Sequence, residues 1–317
     1  MFKCFQTKQV YLFSIQSSLL FCFLAFHQAW SNPQPLAYNA IISSETNAVN
    51  TASAASAQRI ISLAPHITEM LYSAGAGHKI VGVVSYSDFP KAALNLPIIG
   101  SYNAINLEEI IQLNPDLILG WQSGNRLQDI QRLKELGFKV LQSDVTTLDD
   151  IPNEIERLGQ LAGTQRHAMA IADTLRKKLS EIRQHYQHAR PITSFYQIWN
   201  QPIISMNGSQ FISQAVNICG ATNVYADLKP LTAEVSLESV LQRNAQVFLL
   251  GGQQAFQKAW LKQWQKYSSL QAVKHQQIYL LDNNLYQRPT ARLINALPDL
   301  CQKIEMARKH YQTQVLK

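Results

Sequence analysis

Between Gly163 and Arg190 the chain reads GTQRHAMAIADTLRKKLSEIRQHYQHAR, and its apolar residues Ala168, Ile171, Leu175, Leu179, Ile182 and Tyr186 recur at every third or fourth position. That spacing gathers them on one face of an α-helix and leaves Arg, Lys, Glu, Gln and His for the rest. Thr164 is placed to cap the start and Pro191 forbids continuation, which gives a rod of roughly 37 Å at about 1.5 Å per residue. No other stretch restricts the fold so strongly, because the chain on either side of it reads as two versions of one α/β unit. A long helix between two similar lobes is a stiff connector, and two-lobed molecules of this plan usually hold something between the lobes.

The first lobe opens with RIISLAPHITEMLYSAGAG, a strand Arg59 to Leu63, a turn at Pro65 and a helix capped by Thr68 that ends near Gly75. KIVGVV is a second strand and SYSDFP the loop that leaves it; NLEEIIQLNPDLILGW and LQDIQRLKELGFKVLQSD each add a helix and a strand. Short strands alternating with helices predict an α/β fold with a mainly parallel, Rossmann-like sheet, whose ligands collect at the strand C-termini. The second lobe repeats the scheme in PITSFYQIW, a helix around Phe211 to Ile218, SLESVLQRNAQVFLLGG, a helix Ala255 to Tyr267, and QIYLLD. The expected domains are therefore 58–162 and 191–312, with the connector at 163–190 and a tail at 313–317.

Laying NLEEIIQLNPDLILG on SLESVLQRNAQVFLL pairs Leu107 with Leu237, Gln112 with Gln242, Asn114 with Asn244 and, of most interest, Glu108 with Glu238. Both carboxylates fall in the first turn of equivalent helices, behind the caps Asn106 and Ser236. One reading is complementation of the helix dipole, worth about 0.3–1 kcal/mol each. The other is that two equivalent carboxylates meet two equivalent cationic sites on a two-fold symmetric partner.

With 317 residues, 46% apolar and 15% charged, the chain has material for two cores. Its formal net charge of +7 is spread over helices, and no nucleic-acid motif accompanies it. Lys3 and Lys8 precede an apolar run from Val10 to Phe26, and Ala29-Trp30-Ser31 supplies small residues for cleavage. This is the order of a secretory signal peptide, 1–31; a retained membrane anchor is the rival reading. Cys22 lacks the context for lipid attachment. Residues 32–57, rich in Asn, Ser, Thr and Ala, are expected to form a flexible leader. Removal of the signal would leave Cys219 and Cys301 as an even pair in an oxidising compartment, either bridged or as two buried thiols.

Aromatic residues stand at or just beyond predicted strand ends: Tyr86, Tyr102, Trp121, Trp199 and Tyr286. Broad apolar faces with a polar tip suit a large, flat, partly polar ligand. Trp260 and Trp264, one turn apart on a helix, read as core. The chain has no GxSxG, Walker A, CxxC or HExxH pattern. AGAGHK follows a helix and precedes a strand, the reverse of what phosphate cradling needs. His66, in the first strand-to-helix turn, is open to two readings, a ligand for a metal centre carried by the cargo or a local hydrogen-bonding group.

RIISLAPHITEMLYSAGAGHKIVGVVSYSDFP, NLEEIIQLNPDLILGW, GWQSGN, the connector and SLESVLQRNAQVFLL together resemble the helical-backbone class of periplasmic substrate-binding proteins of ABC importers, most closely its cobalamin-binding members. The resemblance runs from about Arg59 to about Arg308. It implies two α/β lobes holding a corrinoid in a shallow cleft and moving little on binding, with Tyr86, Tyr102 and Trp121 touching the ligand from the first lobe. It implies that Glu108 and Glu238 dock onto arginines of a dimeric ABC permease, and Cys219 and Cys301 match the positions of the family disulfide. The chain departs from the family in KPLTAE, where Thr232 replaces an aromatic, and near Leu285 and Tyr286, where part of an aromatic pair is missing; Trp199 is placed to compensate. The expectation is an exported, monomeric, non-enzymatic protein whose cobalamin is cargo rather than cofactor, with no nucleic-acid partner. Haem, with Tyr102 or His66 as axial ligand, and a ferric siderophore, met by Arg126 and Arg288, are alternative cargoes. A tetrapyrrole chelatase built on His66, Asp88 and Glu234 is a third reading.

Overall fold

The computed structural model describes residues 55–315, so the expected signal peptide and the leader up to residue 54 lie outside the described residues. The first half runs β1 (Ile60–Ser62), α1 (Pro65–Ser73), β2 (Ile80–Val83), the ribbon β3 (Gly100–Ser101) and β4 (Ala104–Ile105), α2 (Leu107–Leu113), β5 (Leu117–Trp121), α3 (Leu127–Glu135) and β6 (Val140–Ser143). Two helices, α4 (Asp150–Ala162) and α5 (Gln165–Tyr186), carry the chain onward. The second half runs β7 (Ile192–Gln197), β8 (Trp199–Asn200), β9 (Ile203–Met206), α6 (Phe211–Ile218), β10 (Ala221–Asn223), β11 (Thr232–Glu234), α7 (Leu237–Arg243), β12 (Val247–Leu250), α8 (Gln254–Trp264), α9 (Gln271–Lys274), β13 (Ile278–Leu280), α10 (Asn283–Tyr286) and α11 (Ala291–Val315).

Each half builds a four-stranded parallel sheet, β2-β1-β5-β6 in one and β10-β7-β12-β13 in the other. In both, the second strand lies outside the first, and the third and fourth follow on the other side. The two lobes therefore share one topology, and in both the strand order reverses between the first and third strands. There the connections leave in opposite directions and open a crevice at the strand C-termini. β1 is buried along its length and β5 as far as Gly120, as a sheet covered on both faces requires. The second half carries a three-stranded antiparallel sheet, β11-β9-β8, where the first half has only the two-stranded ribbon β3-β4.

The helix α5 buries Ala168, Ala172, Leu175, Leu179 and Ile182, with Ile171 and Tyr186 half-buried beside them. It packs against α4 and α11, and one apolar core continues through it from Ile60 and Met70 to Val247 and Leu297. Thr164 precedes the helix, but its hydroxyl caps nothing. The helix α1 starts earlier than Thr68: Ala64 is its N-cap, and Pro65 is a ready-made first residue because its φ is set and its missing N–H is not needed there. Thr68 is buried in the first turn, bonded to Ser62 Oγ (2.9 Å). The folded part also begins before residue 58, since the Ala57 amide donates to Leu161 O (2.8 Å) and Lys79 Nζ to Ala57 O (3.2 Å).

Cys219, at the end of α6, is disulfide-bonded to Cys301 of α11. Beside the bridge the buried Arg308 donates to the carbonyls of Arg190 (2.8 Å), Cys219 (2.6 Å) and Gly220 (3.1 Å) and pairs with Glu305. A cation on the free carbonyls at the C-terminus of α6 satisfies what the helix itself cannot. Trp260 and Trp264 are core residues, the latter edge-on to Phe195 and Phe248.

Candidate ligand-binding cleft

In the first lobe β1 and β5 end side by side at the crevice, and one side chain organises what leaves them. Asn125 accepts from the Trp121 amide (2.6 Å) and donates to the carbonyls of Leu63 (3.0 Å) and Tyr102 (2.6 Å). It thereby ties three loops together and fixes two aromatic residues at once. Trp121 is half-buried and Tyr102 is exposed, with ring centroids 6.0 Å apart. Gly124 lets the indole lie flat on the loop, for a Cβ there would fall 1.9 Å from the ring. Sequence reasoning missed Asn125; its signal was an Asn four residues after Trp121, able to reach back across a strand-to-helix loop.

His66 lies under this pair, its ring edge-on to Trp121 at 5.1 Å. Only 6% of it is exposed, and Nε2 has no hydrogen-bond partner among the described residues. Burial, helped by the Arg288 charge, pushes its pKa down to about 4. The imidazole is thus neutral and screened by Trp121, not presented to the cleft as an axial ligand would be.

Tyr86 is 73% exposed at the tip of Ser85–Pro90, held at φ +68°. On the far limb of that loop Asp88 accepts from Arg288 (2.6 Å), and the Arg292 guanidinium lies 3.9 Å over the Phe89 ring. Both arginines bind the buried Glu69 of α1: Arg288 at 2.8 Å, Arg292 through two bonds of 2.9 and 2.6 Å. Two cations and two anions cancel, so Arg288 is not free to receive an anionic siderophore. Arg126, on the surface as the N-cap residue of α3, donates from its guanidinium to Gln128 Oε1 (3.2 Å).

In the second lobe Trp199 is exposed on β8, with its Nε1 donating to Gln201 O (3.0 Å) and its ring edge-on to Trp260. With Asn200, Gln201, Phe256 and Trp260 it lines a recess of about 240 Å³. Thr232 and Glu234 are exposed on β11. Tyr286 departs from the expected set: its ring is buried, and its hydroxyl donates to Ala296 O (3.1 Å) and Asp299 Oδ2 (3.0 Å). The turn of α10 points it inward against α11, so it supports the lobe instead of lining the cleft. Of the three groups considered for a chelatase, His66 packs against Trp121, Asp88 pairs with Arg288 and Glu234 is exposed on β11.

Glu108 and Glu238 occupy the second position of matching seven-residue helices, α2 and α7. Asn106 accepts from the Glu109 amide (3.2 Å), Ser236 from the Ser239 amide (3.1 Å), and each helix ends on a left-handed Asn, Asn114 at φ 42° and Asn244 at φ 41°. Both carboxylates are exposed and make no ion pair among the described residues. Its own amide and the Ser236 hydroxyl hold Glu238 below the usual carboxylate range, which keeps it charged.

Two lobes of one topology, spanned by one long helix and edged with exposed rings, define a two-lobed solute-binding protein. A family model described as periplasmic binding protein matches residues 60–285, and the chain belongs to that family. It is 36% identical over 253 residues to the vitamin B12-binding protein of Vibrio cholerae, covering 80% of this chain and 91% of the relative. It is 33% identical over 258 residues to the vitamin B12-binding protein of Yersinia pestis, covering 80% and 89%. The crystal structure of the periplasmic vitamin B12 binding protein BtuF of Vibrio cholerae matches with a TM-score of 0.73 at 35% identity, over 80% of this chain and 98% of that one. The apo haem-binding protein RhuT from Roseiflexus matches with a TM-score of 0.71 at 21% identity, over 80% and 100%, a likeness of fold alone.

Proposed function

We propose that this chain is a periplasmic carrier that captures cobalamin or a related corrinoid and delivers it to a dimeric ABC importer of the inner membrane. The observation that carries the reading is the set of rings Tyr86, Tyr102 and Trp121 on one lobe and Trp199 on the other, in a chain 36% identical to a vitamin B12-binding protein. A corrin is broad, flat and fringed with amides. Aromatic faces cover its plane, each contact contributing about 0.5–1.5 kcal/mol beyond area burial, while phenol and indole tips meet the polar fringe. Capture and release need no bond-breaking, and the protein is a carrier, not an enzyme. Glu108 and Glu238 are proposed to present the loaded, monomeric protein to paired arginines of the permease, which leaves the ligand side of the cleft over the translocation path. An N-terminal signal peptide, 1–31, would supply export.

Calorimetric titration of the mature protein with cyanocobalamin, haemin and ferric siderophores, with visible spectra of the retained material, tests the cargo. Uptake of one equivalent of cyanocobalamin is expected. Retention of haemin with no corrinoid uptake would reject the assignment.

A further inference from the structure

We infer that Arg288 and Arg292, which belong to the second lobe, are positioning residues for the loop Ser85–Pro90 of the first lobe, and so help to set the affinity for cargo through that loop. The inference rests on the proposed reading in which Tyr86 faces the ligand. Tyr86 adopts φ +68°, a left-handed conformation that a bulky residue keeps only where its surroundings hold it. The near limb of the loop is held by its own lobe: the Ser85 amide donates to Gly100 O (2.8 Å), and Thr68 Oγ1 donates to Ser87 Oγ (3.2 Å). The far limb is held from the other lobe, by Arg288 on the Asp88 carboxylate and by the Arg292 guanidinium over Phe89.

These arginines are not loose surface side chains. Glu69, 2% exposed, grips both, Arg292 in the two-pronged geometry that fixes a guanidinium plane, and the Arg288 side chain is only 14% exposed. Their rotamer freedom is already lost to Glu69, so Asp88 and Phe89 dock on a prepared surface at little further entropic cost. The four charges cancel, which removes anion capture as a rival role for the cluster.

The test uses Asp88→Asn, which keeps the shape of a partly exposed side chain and removes its charge. Two readouts are taken: amide exchange of Ser87, whose N–H closes the turn on Val84 O (3.2 Å), in the ligand-free protein, and cyanocobalamin affinity. Ser87 exchange is expected to rise and affinity to fall by about ten-fold, the scale of one charge-assisted bond. In a Tyr86→Ala background the same substitution is expected to change affinity less than about two-fold, because the side chain it acts through is gone. Equal losses in both backgrounds, or unchanged Ser87 exchange, would overturn the inference. A wild-type protein that ignores cyanocobalamin would instead overturn the cargo reading, with the exchange measurement still deciding whether the second lobe holds the loop.

Discussion

At the mouth of the first lobe Asn125 holds the Trp121 backbone in place, and Trp121 carries the ring proposed to meet the cargo. Trp121→Ala should weaken cyanocobalamin binding by about ten-fold or more in calorimetry, from loss of an aromatic face. Tyr286→Phe is the contrasting case. It loses only the bonds to Ala296 and Asp299, so about 1 kcal/mol of stability should go in denaturant unfolding while affinity is kept. His66 adds a pH signature. Unfolded, its ring takes up a proton near 6.5; folded, only near 4. The unfolded state therefore binds more protons in that window, and stability falls by about 3 kcal/mol as pH drops from 6.5 to 4. His66→Gln should flatten that part of a melting-temperature profile. That Tyr86, Tyr102, Trp121 and Trp199 stand at or just beyond strand ends was legible because a strand end can be read from pattern. The burial of Tyr286 was not, since it depends on α11 partners ten and thirteen residues further on.

Elements with internal periodicity were the most legible: the apolar stripe from Ala168 to Ile182 marks α5, and the Asn and Ser caps mark α2 and α7. The ribbon β8-β9 and its partner β11 were not, because strands of two to four residues carry little pattern and Thr232 pairs with Met206 across 25 intervening positions. Thr68 misled for a related reason, since a hydroxyl suited to capping is equally suited to bonding Ser62 inside a core. The α6 to α11 bridge acts at this scale. It closes a segment of 82 residues, and in the chain-entropy model its removal by Cys301→Ser should cost about 4 kcal/mol, seen as a lower denaturation midpoint with affinity little changed.

For the molecule as a whole, the repeat was visible in the alignment of Leu107–Leu119 with Leu237–Leu249, and the shared strand order of the two sheets gives it a three-dimensional form. The join between lobes was less visible, because Glu69 meets Arg288 and Arg292 across more than two hundred residues and no local pattern announces such a pair. Substituting Glu108 and Glu238 together by Ala should leave cyanocobalamin affinity intact in calorimetry and reduce uptake into vesicles bearing the importer. Loss of affinity would place those carboxylates against the cargo instead.

Matching helices at both ends have a further consequence. A receptor with a two-fold axis that reads only α2 and α7 sees nearly the same handle whichever way round the carrier arrives. Discrimination between the two arrivals must come from what the halves do not share, above all the β8-β9-β11 sheet with Trp199 at its edge. On the proposed docking, that small sheet would be the polarity mark on an otherwise reversible plug.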